Sequence, residues 1–447
     1  MTNVNICIIG GGGRAWAITF MRDLAGADDV QGKICLYDID AEAASNNVEV
    51  GNRIFRLNGK EDRFHITSSP SLAQALEGSD LVVISIEPGR TSYRYNDLIV
   101  PEQYGVLQTV GDTTGPGGIF RARRALPMFF EIGKAIERHC PDAWVINYTN
   151  PMTLCTAALY EAFPAIKAMG CCHEVFHIQT FLAKKVSTWF GVETPNRREI
   201  AVDISGVNHF TFATKASWKG KDLMGHVAAL CEDPETFGDT TEKAKARLAA
   251  EKWFECDHTI ALDFYRNFGA LGAAGDRHLA EFVPWYLTDE KELHSFGIIR
   301  TPYAWREREA VRKREKLFTD DELISKETNE EGVDILRSLM GARTIYTNIN
   351  VPNQGQVPYL PLGHIVESNG FISHNSIKPS LASLPPLAIQ TLERHVAEVQ
   401  ELTLKAVLQQ DDSLLLEAFL NDPLMRLPLS QAKALFKEMM ANSKKMK

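Results

Sequence analysis

The stretch Val4-Asn5-Ile6-Cys7-Ile8-Ile9-Gly10-Gly11-Gly12-Gly13-Arg14-Ala15 decides the fold of this chain. Its first half is largely apolar, which is typical of a strand in a parallel sheet covered on both faces. Its second half fits G-x-G-x-x-A, in which Gly10 makes the turn, Gly12 admits a pyrophosphate and Ala15 packs the next helix. Helical periodicity follows over residues 16–24. This order predicts a dinucleotide site whose pyrophosphate meets the free N–H groups of a helix N-terminus.

An acidic residue closes the next predicted strand, residues 33–38. In NAD enzymes an acid at this position holds the ribose hydroxyls and disfavours the 2′-phosphate of NADP. We therefore predict NAD as the cofactor, and the predicted dinucleotide-binding residues are Gly10, Gly12, Gly13, Arg14 and Asp38. The alternative is a glycine-rich turn that opens an α/β domain without a nucleotide.

Three more predicted strands, at residues 81–86, 144–148 and 165–169, alternate with helical segments. This alternation predicts an α/β fold with an N-terminal Rossmann-like, doubly wound parallel sheet. We expect a NAD-binding domain over residues 1–195. Residues 196–447 are expected to form an α+β domain for substrate binding, metal binding and oligomerisation.

Composition limits the possible partners. The chain has 447 residues, a formal net charge of −9 and a pI near 5.8, which argues against nucleic acid or an anionic membrane surface as a partner. Its eight cysteines include no CxxC pair, and its first residues lack the basic start and apolar core of a signal peptide. No apolar run is long enough to span a bilayer. We therefore expect a cytoplasmic protein with reduced thiols.

A thiol-rich turn, Gly170-Cys171-Cys172-His173-Glu174-Val175, follows the predicted strand at residues 165–169. In an open parallel sheet, ligands bind at the carboxyl ends of the strands. A thiolate from this turn and an imidazole from elsewhere suit a divalent Mn, Fe, Co, Ni or Zn ion. His209, between two segments that alternate like antiparallel strands, is the best distant partner for Cys172. The alternative is inert buried cysteines and a neutral histidine satisfied in a tight turn.

Two stretches of the predicted parallel domain contain further candidates. Residues 111–121 are too glycine-rich for a regular element and are interpreted as a loop over the cofactor or substrate, in which Asp112 and Arg121 stand out. The alternative is a plain surface connection. Asn150 follows a predicted strand, where it would contact substrate, cap the next helix ahead of a proline, or do both.

A third candidate stretch lies in the second half of the chain. Residues 268–278 run through small side chains and end in Asp276-Arg277-His278. Such a run lets the backbone approach a ligand closely. The alternative is a loop between helices that carries solvated charges.

Seven motifs in order make the chain resemble glycoside hydrolase family 4, the NAD- and divalent-metal-dependent glycosidases, nearly end to end. They are Ile8-Ile9-Gly10-Gly11-Gly12-Gly13, Gly115-Pro116-Gly117-Gly118, Asn150-Pro151, Cys172-His173-Glu174-Val175, Gly206-Val207-Asn208-His209, Gly275-Asp276 and Asn350-Val351-Pro352-Asn353-Gln354-Gly355. The resemblance implies a lactate/malate dehydrogenase-like fold, bound NAD, and a bound divalent metal, expected to be Mn²⁺. This family departs from the usual two-carboxylate scheme of glycosidases.

The four residues from the metal cysteine onward differ between subgroups of the family. Cys172-His173-Glu174-Val175 resembles the subgroup that acts on α-galacturonides or α-glucuronides, and is most like the α-galacturonidases. The resemblance implies that Cys172 and His209 bind the metal. It also implies that Asn150 contacts sugar hydroxyls near C2 and C3. The expected substrates are α-galacturonides of the α-1,4-digalacturonate type.

The same resemblance implies roles in proton transfer. Asp276 corresponds to the base proposed in an α-glucosidase member, while other members use a tyrosine. His173 stands where phosphoglycosidases carry an aspartate proposed as the acid, and Asp112 is the second candidate for the acid. The family's reaction oxidises C3 with NAD⁺, removes the C2 proton, eliminates the leaving group, adds water at C1 and returns the hydride. Because a near-neutral base works best, burial must raise the pKa of Asp276.

A uronide also needs a cation for its C6 carboxylate, preferably a planar guanidinium. Arg94, Arg121 and Arg277 are candidates by their neighbourhoods, and the sequence does not choose among them. Alternatives within the family are an α-glucuronidase, an α-glucosidase or an α-galactosidase. Outside it stand an NAD-dependent 2-hydroxy-acid or polyol dehydrogenase and a nucleotide-sensing protein without catalysis. A homodimer or homotetramer is expected in each case.

Overall fold

The structure of the chain is a computed structural model that describes residues 1–326, 328 and 330–445. Within these ranges one sheet contains all of the strands. The strands are β1 (Thr2–Ile9), β2 (Val30–Tyr37), β3 (Phe64–Ser68), β4 (Leu81–Ile84), β5 (Trp144–Asn147), β6 (Lys167–Gly170), β7 (Ile200–Val207), β8 (Phe210–Trp218), β9 (Lys221–Asp222), β10 (Leu271–Gly272), β11 (Ile345–Pro352), β12 (Ile365–Ser373) and β13 (Ser376–Pro379).

The helices connect and cover these strands. They are α1 (Trp16–Ala25), α2 (Ala41–Leu57), α3 (Leu72–Leu76), α4 (Val100–Gln103), α5 (Gly115–His139), α6 (Met152–Ala162), α7 (Glu174–Phe190), α8 (Met224–Glu232), α9 (Thr240–Ala249), α10 (Thr259–Phe268), α11 (Asp276–Leu279), α12 (Glu290–Ser295), α13 (Tyr303–Glu315), α14 (Asp320–Leu323), α15 (Gly332–Leu339), α16 (Leu387–Gln409), α17 (Asp412–Asn421) and α18 (Leu429–Lys445). Among the described residues, none of these helices combines the length and apolar character needed to cross a bilayer.

The sheet has a parallel half and an antiparallel half. In the parallel half the strands lie in the order β3-β2-β1-β4-β5-β6, which is the strand order of a doubly wound dinucleotide-binding fold. The antiparallel half continues the same sheet as β11, β12, β7, β8 and β10. A single antiparallel pair, Asn350 on β11 with Gly170 on β6, joins the halves. The predicted fold class is confirmed.

Both faces of the parallel half are apolar, as the sequence of β1 predicts. Cys7 and Ile9 pack into one core cluster, whereas Ile6 and Ile8 pack into the other. Successive side chains of a strand point to opposite faces, so helices on both sides are needed to bury them. The carboxyl ends of these strands are thereby left as the open edge at which a ligand can approach.

Residues 111–121 differ from the predicted loop, because α5 begins at Gly115. An added Cβ at Gly117 would lie 2.7 Å from the carbonyl oxygen of Gly111, and one at Gly118 would lie 2.5 Å from the carbonyl carbon of Thr113. The glycines therefore let the start of the helix pack tightly against the chain that precedes it. The loop interpretation holds for residues 111–114 and is wrong for the rest.

Candidate active site

A cavity of about 450 Å³ opens at the carboxyl ends of the parallel strands. It is lined by Trp16, Val110, Tyr148, Asn150, Met152, Cys171, Cys172, His173, Glu174, His177, His209, Phe254, Cys256, Gly275, Asp276, Arg277, His278 and Arg306. Six residues singled out from the sequence are therefore brought together: Asn150, Cys172, His173, His209, Asp276 and Arg277.

Cys172 follows β6 and is buried at the wall of this cavity. Its carbonyl oxygen accepts a hydrogen bond of 3.0 Å from Nδ2 of Asn348, which fixes the turn from the antiparallel half. Burial raises the pKa of the Cys172 thiol well above its ordinary value, and the nearby carboxyls of Glu367 and Glu174 raise it further. Such a thiol ionises only against a strong positive charge, which a divalent metal would supply.

His209 lies in the two-residue turn between β7 and β8. Its backbone is left-handed, with φ of 68°, a conformation that a non-glycine residue rarely adopts and that clusters at functional sites. Burial lowers the pKa of the ring to about 3 and the neighbouring His278 adds to this effect, so the imidazole is neutral and able to ligate.

The hydroxyl of Thr113 sets the tautomer of His209. It donates to Oδ1 of Asp112 at 2.7 Å and lies 2.9 Å from Nδ1 of His209. Because its one hydrogen goes to Asp112, the hydroxyl accepts a hydrogen bond from Nδ1–H. The lone pair of His209 is therefore on Nε2, the nitrogen left for a metal. Such a partner behind a ligating histidine is usual in metal sites.

Three groups of possible metal donors occur among the described residues, each with its ligand atoms within 4.8 Å of one another. The first joins His209 to Asp112 and His278, whose ring lies 3.8 Å from that of His209 between centroids. The others are His173 with Glu174 and His177, and Cys256 with His258 and Asp276. Within the described part of the chain Cys172 belongs to no such group of three. A site on Cys172 and His209 would therefore need substrate or solvent oxygens to complete it.

Asn150 is fixed by two hydrogen bonds, and one of its polar side-chain atoms has no partner among the described residues. Its carbonyl oxygen accepts from Nε of Arg121 at 2.9 Å, and its Nδ2 donates to Oδ2 of Asp112 at 3.2 Å. Its Oδ1 is buried and has no hydrogen-bond partner among the described residues. Asn150 is not the cap of α6, since Pro151 occupies the capping position after a cis peptide bond. The orphaned acceptor suits a sugar hydroxyl.

Asp276 begins α11 and reaches the N-terminus of α10. Its Oδ1 accepts from the backbone N–H of Ala261 at 3.0 Å, while Oδ2 is buried and unpartnered among the described residues. Burial raises the pKa of Asp276 to about 6, against the lowering effect of hydrogen bonds from Ala261 and Cys256. This is the raised pKa that the sequence required of a base at this position.

His173 is partly exposed between the two halves of the site. Its ring lies 5.7 Å from that of Trp16 and 5.3 Å from that of His177. Burial lowers the pKa of His173, although the neighbouring Glu174 opposes this. Glu174 itself accepts a 2.7 Å hydrogen bond from the backbone N–H of Gly275, which ties the cysteine turn to the segment that carries Asp276.

Asp112 and the predicted arginines Arg94 and Arg121 are not among the residues that line the cavity. Asp112 lies directly behind Asn150. Arg94 and Arg121 both pair with Glu87, at 3.0 and 2.5 Å, so each already has a carboxylate partner. Burial alone would raise the pKa of Asp112, but the guanidinium of Arg121 and the hydrogen bond from Thr113 lower it.

The glycine turn adjoins the cavity through Trp16, which begins α1 and stacks on Tyr148 with 4.9 Å between ring centroids. The N–H of Gly12 donates to Oδ2 of Asp38 at 3.0 Å, and a Cβ on Gly12 would lie 2.9 Å from that oxygen. Gly10 has φ of 91°, as the tight turn requires. The residues of this turn therefore fit a bound dinucleotide.

The other two predicted dinucleotide-binding residues lie in the same turn. The N–H of Gly13 donates to the carbonyl oxygen of Gly10 at 3.0 Å. Arg14 donates through Nη1 to the carbonyl oxygen of Lys316 at 2.7 Å. Arg14 is therefore turned toward residue 316 and would have to rotate to reach a phosphate.

Sequence reasoning assigned no role to Thr113, Glu174, His278 or Arg306. His278 lies two residues after Asp276 in the run 268–278, and Glu174 is part of the cysteine turn, so both carried a local signal. Thr113 and Arg306 carried none. Their places depend on contacts across 96 and 197 residues, from Thr113 to His209 and from Arg306 to Thr109.

Comparison with known proteins gives a consistent result over the whole chain. A family model described as family 4 glycosyl hydrolase matches residues 5–188, and one for the C-terminal domain of that family matches residues 204–425. An α-galacturonidase from Thermoanaerobacterium saccharolyticum is 42% identical, over 99% of this chain and 96% of that protein. The crystal structure of lplD from Bacillus subtilis is 40% identical, with a TM-score of 0.88 over 98% of this chain and 100% of that one.

More distant structures show the fold alone. A 6-phospho-α-glucosidase from gut microorganisms, solved in complex with NAD and Mn²⁺, is 18% identical with a TM-score of 0.76 over 99% of both chains. A malate dehydrogenase from Cryptosporidium parvum is 14% identical with a TM-score of 0.52 over 91% of this chain and 99% of that one. The predicted likeness to the malate dehydrogenase fold is confirmed.

Proposed function

Because this chain belongs to glycosyl hydrolase family 4, we propose that it hydrolyses α-galacturonides, including oligosaccharides of the α-1,4-digalacturonate type. Membership of the family makes the chain a glycoside hydrolase, and the 42% identity with an α-galacturonidase supports the substrate. The observation that carries the proposal is that Cys172 and His209, from different halves of the sheet, line one cavity beside the glycine turn.

NAD and a divalent ion such as Mn²⁺ are the proposed cofactors. Gly10, Gly12, Gly13 and Asp38 would hold the dinucleotide, with Arg14 beside it. Cys172 and Nε2 of His209 would hold the ion. When bound, the dinucleotide supplies a reversible hydride acceptor and the ion supplies a Lewis acid for neighbouring sugar oxygens.

The residues of the chain itself would position the sugar and move its proton. Oδ1 of Asn150, buried and unpartnered, would accept a hydrogen bond from a sugar hydroxyl. Asp276 would take the C2 proton on Oδ2, because Oδ1 is already fixed by the N–H of Ala261. Asp276 and Oδ1 of Asn150 are both buried, and burial strengthens electrostatic interactions of this kind.

His173 is the proposed acid for the leaving group. It lines the cavity and is partly exposed, so it can regain a proton from solvent. Asp112 is less suited to that role, since its two oxygens already accept hydrogen bonds from Thr113 and Asn150. We propose instead that Asp112 orients His209 through the hydroxyl of Thr113.

A second cavity of about 630 Å³ adjoins the first and shares His177, Phe254 and Cys256 with it. Lys184, Lys185 and Lys243 line it together with Asp233, Glu235 and Asp257, and Lys243 pairs with Asp257 at 3.4 Å. It is the proposed place of the leaving group, where the ammonium groups of Lys184 and Lys185 would face the carboxylate of a second uronate unit.

The roles of the two domains, the location and the oligomeric state are also proposed. Residues 1–195 are proposed to bind the dinucleotide and residues 196–447 to complete the substrate and metal site. A cytoplasmic location is proposed because all eight cysteines are unpaired and a metal-binding thiol needs a reducing compartment. A homodimer or homotetramer is proposed because Leu381, Leu384 and Leu387 expose apolar surface at the start of α16. Light scattering tests the proposed oligomeric state.

A substrate panel tests the proposed function. Nitrophenyl α-galacturonide, α-glucuronide, α-galactoside and 6-phosphoglucoside are each incubated with the enzyme, NAD⁺, Mn²⁺ and a thiol reductant. Cleavage of the galacturonide, without net NADH, is expected to be fastest. Turnover in D₂O is expected to place deuterium at C2 of the released sugar. Accumulation of NADH without cleavage would instead indicate a dehydrogenase, and fastest cleavage of another glycoside would overturn the substrate.

A further inference from the structure

Two guanidinium groups enter the active-site cavity without a carboxylate partner. Arg277 and Arg306 both line it, and neither lies within 4.0 Å of a carboxylate in the part of the chain that the structure describes. They converge on one acceptor, because Nη2 of each donates to the carbonyl oxygen of Thr109, at 2.7 and 3.0 Å. Two like charges are therefore held side by side.

The two arginines differ in how many hydrogen bonds their guanidinium groups already donate. Arg277 is occupied, since Nη1 donates to the carbonyl oxygen of Trp253 at 2.9 Å and Nη2 also donates to Oγ1 of Thr301 at 2.9 Å. Arg306 makes a single hydrogen bond among the described residues, the one to Thr109. Its Nη1 is therefore available, whereas Nη1 of Arg277 is not; the Nε atoms of both arginines are buried without a partner among the described residues.

This arrangement is electrostatically costly for the free protein. Burial lowers the pKa of Arg306 to about 9, and the positive charges of Arg94 and Arg277 lower it further. A partly buried cation that no carboxylate contacts directly is destabilised unless an anion pairs with it. Arg306 also lies in the first turn of α13, where the helix dipole favours a negative group. Each of these effects is relieved when an anion binds beside Arg306.

We propose that Arg306 binds the C6 carboxylate of the sugar that is cleaved, with Arg277 as a positioning residue that fixes the Thr109 carbonyl and adds charge. This inference rests on the proposed function and names the residue that recognises the C6 carboxylate of the substrate. A carboxylate fits better than a phosphate dianion, because Asp112 and Glu281 also lie near the pair and reduce its net positive charge. Arg94 and Arg121 suit this role less well, because neither lines the cavity and both already contact Glu87.

The test compares two sugars that differ only at C6. Affinities of the NAD- and Mn²⁺-loaded enzyme for galacturonate and for galactose are measured by calorimetry, alongside kcat and KM for nitrophenyl α-galacturonide. In Arg306→Gln the affinity for galacturonate is expected to fall about 10- to 100-fold, the range of a lost charge-assisted hydrogen bond. The affinity for galactose is expected to change less than about threefold. Arg306→Lys should lie between the wild type and Arg306→Gln.

The matched control is Arg308→Gln, which removes an exposed arginine two residues further along α13. It is expected to leave both affinities unchanged. An unchanged preference for galacturonate over galactose in folded Arg306→Gln would overturn the inference while leaving the proposed function intact. If the wild type cleaves no galacturonide, the proposed function fails instead. Equal losses for both sugars in Arg306→Gln would indicate a structural role and also overturn the inference.

Discussion

The two halves of the sheet contribute to the site in different ways. The parallel half offers groups that belong to short local motifs: the glycine turn with Asp38, and Cys172 at the end of β6. The antiparallel half contributes His209 from the turn between β7 and β8, Asp276 from α11 and Arg306 from α13. All three side chains line the same cavity. The dinucleotide site is therefore encoded by residues close together in the sequence. The proposed chemistry depends instead on how the second half packs against the first.

The interiors of the two halves differ as well. Strand β1 is packed on both faces by aliphatic side chains. The antiparallel half buries carboxyl groups, among them Glu367 and Glu393. Glu367 accepts hydrogen bonds from Asn348 at 2.7 Å and from Asn208 at 3.2 Å, so it stands behind both proposed metal ligands. Buried polar groups of this kind specify one arrangement when they are satisfied.

The largest expected effect comes from removing one metal ligand from either half. Cys172→Ser and His209→Ala should each reduce activity and Mn²⁺ affinity by more than about 100-fold, since losses of this order follow even from changes behind a ligand. Activity assays and Mn²⁺ titration by electron paramagnetic resonance measure both. Cys171→Ser, the same exchange one residue away, is the control. If only one of the two ligand variants is impaired, the site belongs to a single half.

A smaller loss is expected from Thr113→Val, which keeps the shape of the side chain and removes the hydroxyl between Asp112 and His209. Without that acceptor the imidazole can take the other tautomer, so Mn²⁺ affinity should fall about 10- to 100-fold. Thr114→Val is the neighbouring control, because the hydroxyl of Thr114 donates to Asp422 instead, at 3.2 Å. Equal Mn²⁺ affinities in the two variants would contradict the assigned tautomer.

The parallel half is tested by Asp38→Asn. The amide loses the charge that is expected to hold the ribose hydroxyls, so affinity for NAD⁺ should fall about tenfold, the cost of one such hydrogen bond. The affinity for NADP⁺ should rise relative to the affinity for NAD⁺. Asp40→Asn is the control, because that carboxylate caps α2 through the N–H of Ala43. A dinucleotide preference that does not change would show that Asp38 does not read the ribose.

The smallest effect concerns the buried carboxyl of Glu393 on α16. Burial raises its pKa well above the ordinary value, against a smaller opposing effect of the Tyr359 hydroxyl. Its stabilising contribution is therefore full below the unfolded pKa of about 4.3 and is lost as the pH rises toward the raised folded pKa. Relative to the wild type, Glu393→Gln should therefore become more stable between pH 5 and pH 8, by about 1.4 kcal/mol for each pH unit below the folded pKa.

Denaturant unfolding at both pH values measures that difference. The control is Glu398→Gln, which alters an exposed residue of the same helix. A wild-type protein whose stability relative to Glu393→Gln does not depend on pH would show that Glu393 titrates normally. Glu393 would then not be kept protonated by burial.

Local sequence predicted the parallel half because the residues that make its turns are adjacent. Gly10, Gly12 and Asp38 follow their strands directly, and each contact is made within one βαβ unit. The same local reasoning failed at Gly115, where composition indicated a loop and contacts with residues 111–113 allow a helix.

Arg306 was missed for a related reason. Nothing beside it in the sequence distinguishes it from the other arginines of α13. Its proposed role comes from its contact with Thr109 and from its lack of an ion pair among the described residues. His209 was singled out as a distant partner for Cys172 and Asp276 as the end of a run of small residues, and the family resemblance then implied the role of each. Residues whose role depends on distant partners therefore need either a family pattern or the folded structure.

The position of Mn²⁺ is the most direct test of a site shared by the two halves. Crystals of the NAD- and Mn²⁺-loaded enzyme, measured at the manganese absorption edge, locate the ion by its anomalous signal. The expected peak lies within bonding distance of Sγ of Cys172 and Nε2 of His209. A peak at His173, Glu174 and His177, or at Cys256, His258 and Asp276, would contradict that site and with it the proposed assignment of the catalytic residues.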